Sequence, residues 1–446
     1  MQNKKLIATA GLALLSYFCY YILVDDELSK EAEYLLSHAK PTNNLDNNIF
    51  IRLAALAHNN YETSKQQYIA TSEKAKSNPI EFENQFTFPS PLIHQEELTS
   101  DLYCFFGEEG CLENITENKK LLFDLLNERM LFAQEVILTQ SKYDFKHLDP
   151  ISTRGDFDGY VALNYLVGLQ VYKDLLEGNT SQSEELLFKH FGFARKLAEG
   201  SLDMVTSVVF VVSIQQHFQP LIEKLASTGH QFTYPINEIF NELSMTEIGF
   251  EKMAISEFAM MHRAVNTYIE PNDYAGNELN NELAIFIGYK PIATLNKIAE
   301  FWISNTLPET TPKDQFFKVN SAKPSNQPKL DAKNPITIIL NNPKNFIGEL
   351  LLAASTPRLL DASEDYASAD LNLLLFRLLI ESQKTSIVEL VAEPKFKDPY
   401  TGNAPYIENS KVCYPVWGDA NDEGQDKPIC IKLLNPKSQA LVNRND

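Results

Sequence analysis

The densest set of metal-ligand side chains in this 446-residue sequence is the run Asp419-Ala420-Asn421-Asp422-Glu423-Gly424-Gln425-Asp426. Oxygen donors alternating around a glycine suit calcium, a hard cation that takes about six to eight oxygens. Asp419, Asn421, Glu423 and Asp426 are the expected ligands. The match to an EF-hand loop is partial, because position twelve is Cys430 where such a loop places a bidentate glutamate. The alternative is a polar turn inside a loop closed by Cys413 and Cys430.

Redox chemistry comes next. Besides Cys19, four cysteines fall into two local pairs, Cys104 with Cys111 and Cys413 with Cys430. Four cysteines permit three pairings. In an oxidising compartment the local pairing is the natural one, and two glycines in the Cys104–Cys111 segment let that chain turn tightly. No C-x-x-C occurs and no histidine flanks either pair, which argues against zinc. Two disulfides are expected.

Other signatures are weaker. There is no G-x-S-x-G, so no nucleophile elbow is signalled. One S-x-x-K, Ser37 to Lys40, stands without companion motifs. None of the eight histidines follows a glutamate by three residues, and H-E-x-x-H is missing. Asp144, His147 and Asp149 before Pro150 read as a cap and turn, and His262 with Arg263 as packed or surface residues. No catalytic residue is expected, and calcium is the one candidate cofactor.

The segments that would position these residues are mostly helical. Lys4 and Lys5 precede Leu6 to Val24, nineteen uncharged residues, and Asp25, Asp26 and Glu27 follow. As a helix these nineteen span roughly 28 Å, enough to cross a bilayer. Bulky residues at its end argue against cleavage, and the charges place the N-terminus in the cytoplasm. Residues 27–40 are read as continuing this helix, and 47–76 as two short helices split near Asn59 and Asn60. Residues 78–110 are irregular. In the helix at 112–141, Leu122, Leu126, Met130, Ala133 and Ile137 make one apolar stripe.

A helix over 157–177 ends at Gly178. Ser181 with Glu184 reads as a capping box for the next, which closes with Arg195 and Lys196 near its dipole and Gly200 as a left-handed exit. Residues 202–228 are a buried helix kinked at Pro220. Ser244 with Glu247 caps a helix bearing Phe250, Ala254, Phe258, Met261 and Val265, and Pro291 starts another. Proline-rich residues 306–335 form a long loop, and helices follow at 343–354 and 364–384. In the tail, Val412 to Val416 and Ile429 to Leu433 read as strands.

Asp398-Pro399, Gly402, Pro405 and Tyr406, followed by a strand and an acidic turn, resemble the D-P-x-G-x-P-x-Y hairpin of type II secretion pseudopilins over about forty residues. The N-terminal run lacks a pilin cleavage motif. The layout of anchor, helical body and hairpin is similar to membrane-anchored envelope proteins of Gram-negative bacteria, a resemblance that implies topology and no activity. Arg154, Phe157, Asp158 and Tyr160 are similar to the R-x-x-F-D-Y motif of lipase-specific foldases, with Gly159 intruding before the tyrosine. That resemblance implies a membrane-anchored chaperone wrapping a secreted client.

The formal net charge is −20, from 59 acidic and 39 basic residues. Such a surface repels nucleic acid and anionic lipid. The expectation is a mainly α protein in three parts: residues 1–26 as cytoplasmic tip and transmembrane anchor, 27–395 as a multi-helix periplasmic body, and 396–446 as a small disulfide-bonded antiparallel β hairpin tail. It would sit in the bacterial inner membrane through residues 6–24. It would act as a scaffold or adaptor binding other envelope or secreted proteins, with a foldase-like chaperone and an envelope hydrolase as alternatives.

Overall fold

The computed structural model describes residues 25–39, 44–55, 62–63, 65–66, 68–70, 104–146, 154–201, 204–248, 250–267, 290–305, 312–315, 345, 359–415 and 428–433. Its helices are α1 (Lys30–His38), α2 (Ile49–Ala55), α3 (Cys111–Glu117), α4 (Lys119–Leu138), α5 (Arg154–Leu176), α6 (Thr180–Gly200) and α7 (Met204–Ser213). A π-turn over Ile214–Phe218 leads into α8 (Gln219–Ser227). Then come α9 (Ile236–Ile239), α10 (Met245–Ile248), α11 (Phe250–Thr267), α12 (Pro291–Asn305), α13 (Leu359–Glu381) and α14 (Ile387–Leu390). Strands β1 (Tyr406–Glu408), β2 (Lys411–Tyr414) and β3 (Ile429–Lys432) form one antiparallel sheet in that order.

Two helices are apolar nearly all round, the pattern of a helix enclosed by its neighbours. In α5, Leu163, Leu166, Val167, Leu169 and Val171 are fully buried, and so are Leu371, Leu373, Leu374, Leu375 and Leu378 in α13. The α7–π–α8 run touches both, while α2, α4 and α6 pack on α5 and the sheet packs on α13. The stripe Leu122, Leu126, Met130, Ala133 and Ile137 of α4 faces this core with no exposure. A smaller cluster joins α1, α11 and α12 through Ala32, Leu35, Phe258, Leu295, Ala299 and Trp302.

Several local expectations hold. Gly178 ends α5 with φ +82°, and Pro291 opens α12. The Ser244–Glu247 box forms at α10: Glu247 N–H donates to Ser244 Oγ at 3.2 Å, and Ser244 N–H to Glu247 Oε2 at 2.7 Å.

Others are corrected. Residues 27–40 do not continue an N-terminal helix. Residues 25–29 are non-helical, α1 starts afresh with Ser29 as N-cap, and Asp25 turns back to cap α12, accepting from Ile292 N–H at 2.8 Å and Ala293 N–H at 3.1 Å. The Ser181–Glu184 box is absent: Asn179 is the N-cap of α6, and Glu184 bonds residues 230–234 instead. Gly200 is a helical residue and no left-handed exit, needed because a Cβ there would strike the Phe145 carbonyl. Arg195 does not serve the dipole of α6 but reaches across to α10.

Pro220 acts differently from a simple kink. It has no N–H for the Gln216 carbonyl, so the helix widens, and Gln219 N–H bonds Ile214 O five residues back. In the tail, a third strand joins the two expected ones. Tyr406–Glu408 pairs with β2 across Asn409 and Ser410, both at positive φ, the geometry of a two-residue I′ hairpin. The two residues carry no glycine and the strand has three residues, so neither signal is strong. Among the described residues no helix is long and apolar enough to cross a membrane. Residues 6–24, Asn59 and Asn60, and most of 78–110, 306–335 and 343–354 lie outside the described residues.

Candidate functional site

The widened turn before Pro220 is the centre of a buried polar cluster. The orphaned Gln216 carbonyl accepts from Gly107 N–H at 2.8 Å, so the Cys104–Cys111 loop supplies the donor that the proline lacks. The disulfide that closes this loop is formed, with sulfurs 2.04 Å apart. A side chain at position 107 would crowd the π-turn, since a Cβ would lie 3.1 Å from the Gln216 Cα and displace the Gln216 amide. The neighbouring Phe106 is buried and stands edge-on to His217, ring centres 5.3 Å apart.

Behind Phe106 two imidazoles meet. His190 from α6 and His217 from the π-turn cross edge-to-face at 5.2 Å. His190 Nε2 bonds Asn164 Oδ1 at 2.8 Å, and Asn164 Nδ2 donates to Ser213 Oγ at 3.0 Å. The carbonyl oxygen can only accept, so Nε2 carries the proton. His190 Nδ1 and His217 Nε2 are fully buried without a hydrogen bond, and the buried Tyr160 hydroxyl lies beside Asn164 and Ser213. Burial pushes the His217 imidazole down to about 3. Burial and then His217 hold His190 well below the ordinary range. Burial also raises the Tyr160 phenol, against the opposing effect of Asn164 and Ser213. These groups are neutral at physiological pH, and no proton exchange near pH 7 follows from them.

A second cluster is charged and saturated. Asp370 of α13 is fully buried and takes Leu243 N–H at 2.5 Å, Tyr400 Oη–H at 2.7 Å and the Lys313 ammonium. Lys313 also pairs with Glu242 at 3.1 Å. Burial pushes the Asp370 carboxyl up, and Lys313 with the other donors opposes it. Tyr400 is delivered by the Asp-Pro turn: Asp398 accepts from Tyr400 N–H at 2.8 Å and from Thr401 Oγ1 at 2.6 Å, and Gly402 N–H closes on Asp398 O at 2.8 Å. The motif that resembles a pseudopilin hairpin thus folds as a turn that pins the tail to α13.

Two more carboxylates work as joints. Glu184 gathers His230, Thr233 and Tyr234, at 2.8, 2.6 and 2.9 Å. Burial raises its carboxyl, yet these donors together bring it below its ordinary value. Glu247 takes Arg195 in two bonds of 2.5 and 2.8 Å, while Arg195 also donates to the carbonyls of Ile239 and Asn241.

The outermost feature is the free face of α4. Leu121, Leu125, Leu131 and Leu138 are 59%, 38%, 51% and 44% exposed. Asp124, Glu128 and Glu135, also exposed, share that side of the helix.

Of the residues singled out in the sequence, Cys413 pairs with Cys430, directly opposite each other on β2 and β3. Tyr160 lies in the buried cluster, and Arg154, Phe157 and Asp158 belong to the first turns of α5. Asp144 accepts from Lys146 N–H, and its backbone pairs with Asn47 and Ile49. His262 is half-buried on α11. His147, Asp149 and the calcium candidates Asp419, Asn421, Glu423 and Asp426 lie outside the described residues. Sequence reasoning missed His190, His217, Asn164, Lys313 and Asp370. The available signal was polarity within apolar helices: Asn164 and Asp370 interrupt runs that are otherwise enclosed.

No protein-family model matches the chain, and no curated protein or solved structure matches it. What fold and clusters define is a mainly helical, two-disulfide body with a small three-stranded tail sheet and an apolar outer face on one helix.

Proposed function

We propose that this chain is a membrane-anchored scaffold or adaptor of a bacterial envelope or secretion assembly, acting by binding protein. The observation that carries the reading is the outer face of α4, where four leucines stand exposed along one helix. Leucine rows of this kind on a folded body mark interaction sites. Supporting the tether, Asp25 directly follows the apolar run and is bolted to the N-terminus of α12. An anchor through residues 6–24 would therefore present the body in one orientation instead of on a loose leash.

A photo-crosslinking amino acid at Leu131, in cells with intact envelopes, tests the reading. Crosslinks to a discrete envelope or secreted protein, lost when the cross-linker is moved to buried Ala133, are expected. No crosslinked protein at any of the four leucine positions would defeat it. Reporter fusions after residue 30 test the topology, and activity without export would remove the anchor from the reading.

A further inference from the structure

The α4 face has a chemical character that narrows its partner, and this inference rests on the protein-binding reading above. Its exposed side chains recur at positions 121, 125, 128, 131, 135 and 138. Spacings of three and four keep a helix's side chains on one strip. Over eighteen residues that strip is roughly 26 Å long. Leucine occupies 121, 125, 131 and 138, while glutamate occupies 128 and 135, with Asp124 beside them. These three acids make no ion pair among the described residues. The exposed cations of α4, Lys119 and Lys120, stand at its N-terminal end, and mid-helix Arg129 is half-buried. Phe132, one position further round, is already covered by the Arg52 guanidinium at 4.4 Å.

We propose that the outer face of α4 docks one amphipathic helix of a partner protein whose apolar stripe is flanked by lysine or arginine. The leucines take the apolar stripe in the helix-against-helix manner, and Asp124, Glu128 and Glu135 pair with the flanking cations. Charge complementarity selects this occupant over two others. An antiparallel pairing of α4 with a second copy, centred on the leucine strip between residues 129 and 130, sets Asp124 against Glu135. An anionic lipid surface meets the same three carboxylates and is repelled. Cationic flanks also steer encounter with a chain of net charge −20.

The test uses the full chain in detergent micelles and a 21-residue synthetic helix with leucines on one face and lysines at the flanks. A second helix carries glutamate in place of every lysine. The lysine helix binds and the glutamate helix does not. Leu121→Ser with Leu131→Ser weakens binding by about tenfold or more, as loss of central anchors does. Glu128→Gln with Glu135→Gln reduces both the affinity and its salt dependence. All four positions are exposed, so unfolding temperature stays unchanged. Equal binding by the two peptides, or binding untouched by either double variant, overturns the proposal, because the acidic surface elsewhere would then account for it. A dimer dissolved by the leucine variant, or α4-dependent flotation with phosphatidylglycerol vesicles, also overturns it. If crosslinks from Leu131 to an envelope protein persist while the lysine helix neither binds nor competes, the partner's chemistry is wrong and the adaptor reading survives. If the crosslinks fail too, the adaptor reading fails with it.

Discussion

The histidine cluster and the Asp370 cluster bury polar groups by opposite means. At Asp370, three segments distant in sequence converge on one carboxylate, and each oxygen is engaged. Around His190 and His217 every group is neutral, and two imidazole nitrogens lack a hydrogen bond. A charged centre can be buried only with its partners in place. A neutral imidazole tolerates an incomplete shell at a far smaller cost. The first cluster therefore holds the chain together, while the second mainly fills space around the π-turn.

The largest expected effect is at Asp370. Replacing it with alanine leaves Lys313, Tyr400 and Leu243 N–H without their common acceptor, and about 3–5 kcal/mol should be lost. Urea unfolding followed by circular dichroism measures this, and Asp370→Asn should lose less because its amide oxygen still accepts from one of the neutral donors. A loss under 1 kcal/mol in the alanine variant would reduce the joint to a surface contact.

Opening the Cys104–Cys111 loop comes second. The double serine variant should cost about 2–3 kcal/mol from loop entropy. It should also raise amide exchange at Gly107 and at residues 214–219, since the N–H that serves the Gln216 carbonyl then sits on a freer loop. Unchanged exchange there would separate the disulfide from the π-turn.

The third effect sets the clusters apart through pH. Both imidazoles have folded values pushed below the ordinary one, His217 to about 3. The stability tied to their neutral forms is then fully present above the unfolded value of about 6.5. It is lost as pH falls through that value toward the folded one, by roughly 1.4 kcal/mol per pH unit for each histidine. His217→Phe should flatten this slope between pH 6 and 4 while changing stability at pH 8 by about 1 kcal/mol or less. An unchanged slope would mean that His217 is solvated in the fold.

The smallest effect belongs to the surface. Leu131→Ser on α4 should alter stability by no more than about 0.5 kcal/mol, and a larger loss in the same urea assay would show that this leucine packs against the body.

Much of the fold was legible in local pattern. The stripe on α4, the exit at Gly178, the cap at Ser244 and the start at Pro291 depend on contacts three or four residues apart, which the order of residues alone dictates. Local pattern misled where a side chain had a distant competitor. Glu184 stands where a capping box wants it, yet residues 230–234 offer it four donors. Arg195 sits where a helix dipole wants a cation, yet Glu247 offers two oxygens in a buried place.

By itself the sequence determined a mainly helical chain, two local disulfides, a strongly acidic surface and an apolar run ahead of Asp25. Only the tertiary structure decided that Gly107 answers the carbonyl Pro220 leaves open, that His190 meets His217 across 27 positions, and that Lys313 and Tyr400 share Asp370. The reason is physical: periodicity reports what a helix or strand does with its own neighbours. A hydrogen bond across the core depends on how separate elements pack, and no spacing along the chain records that distance.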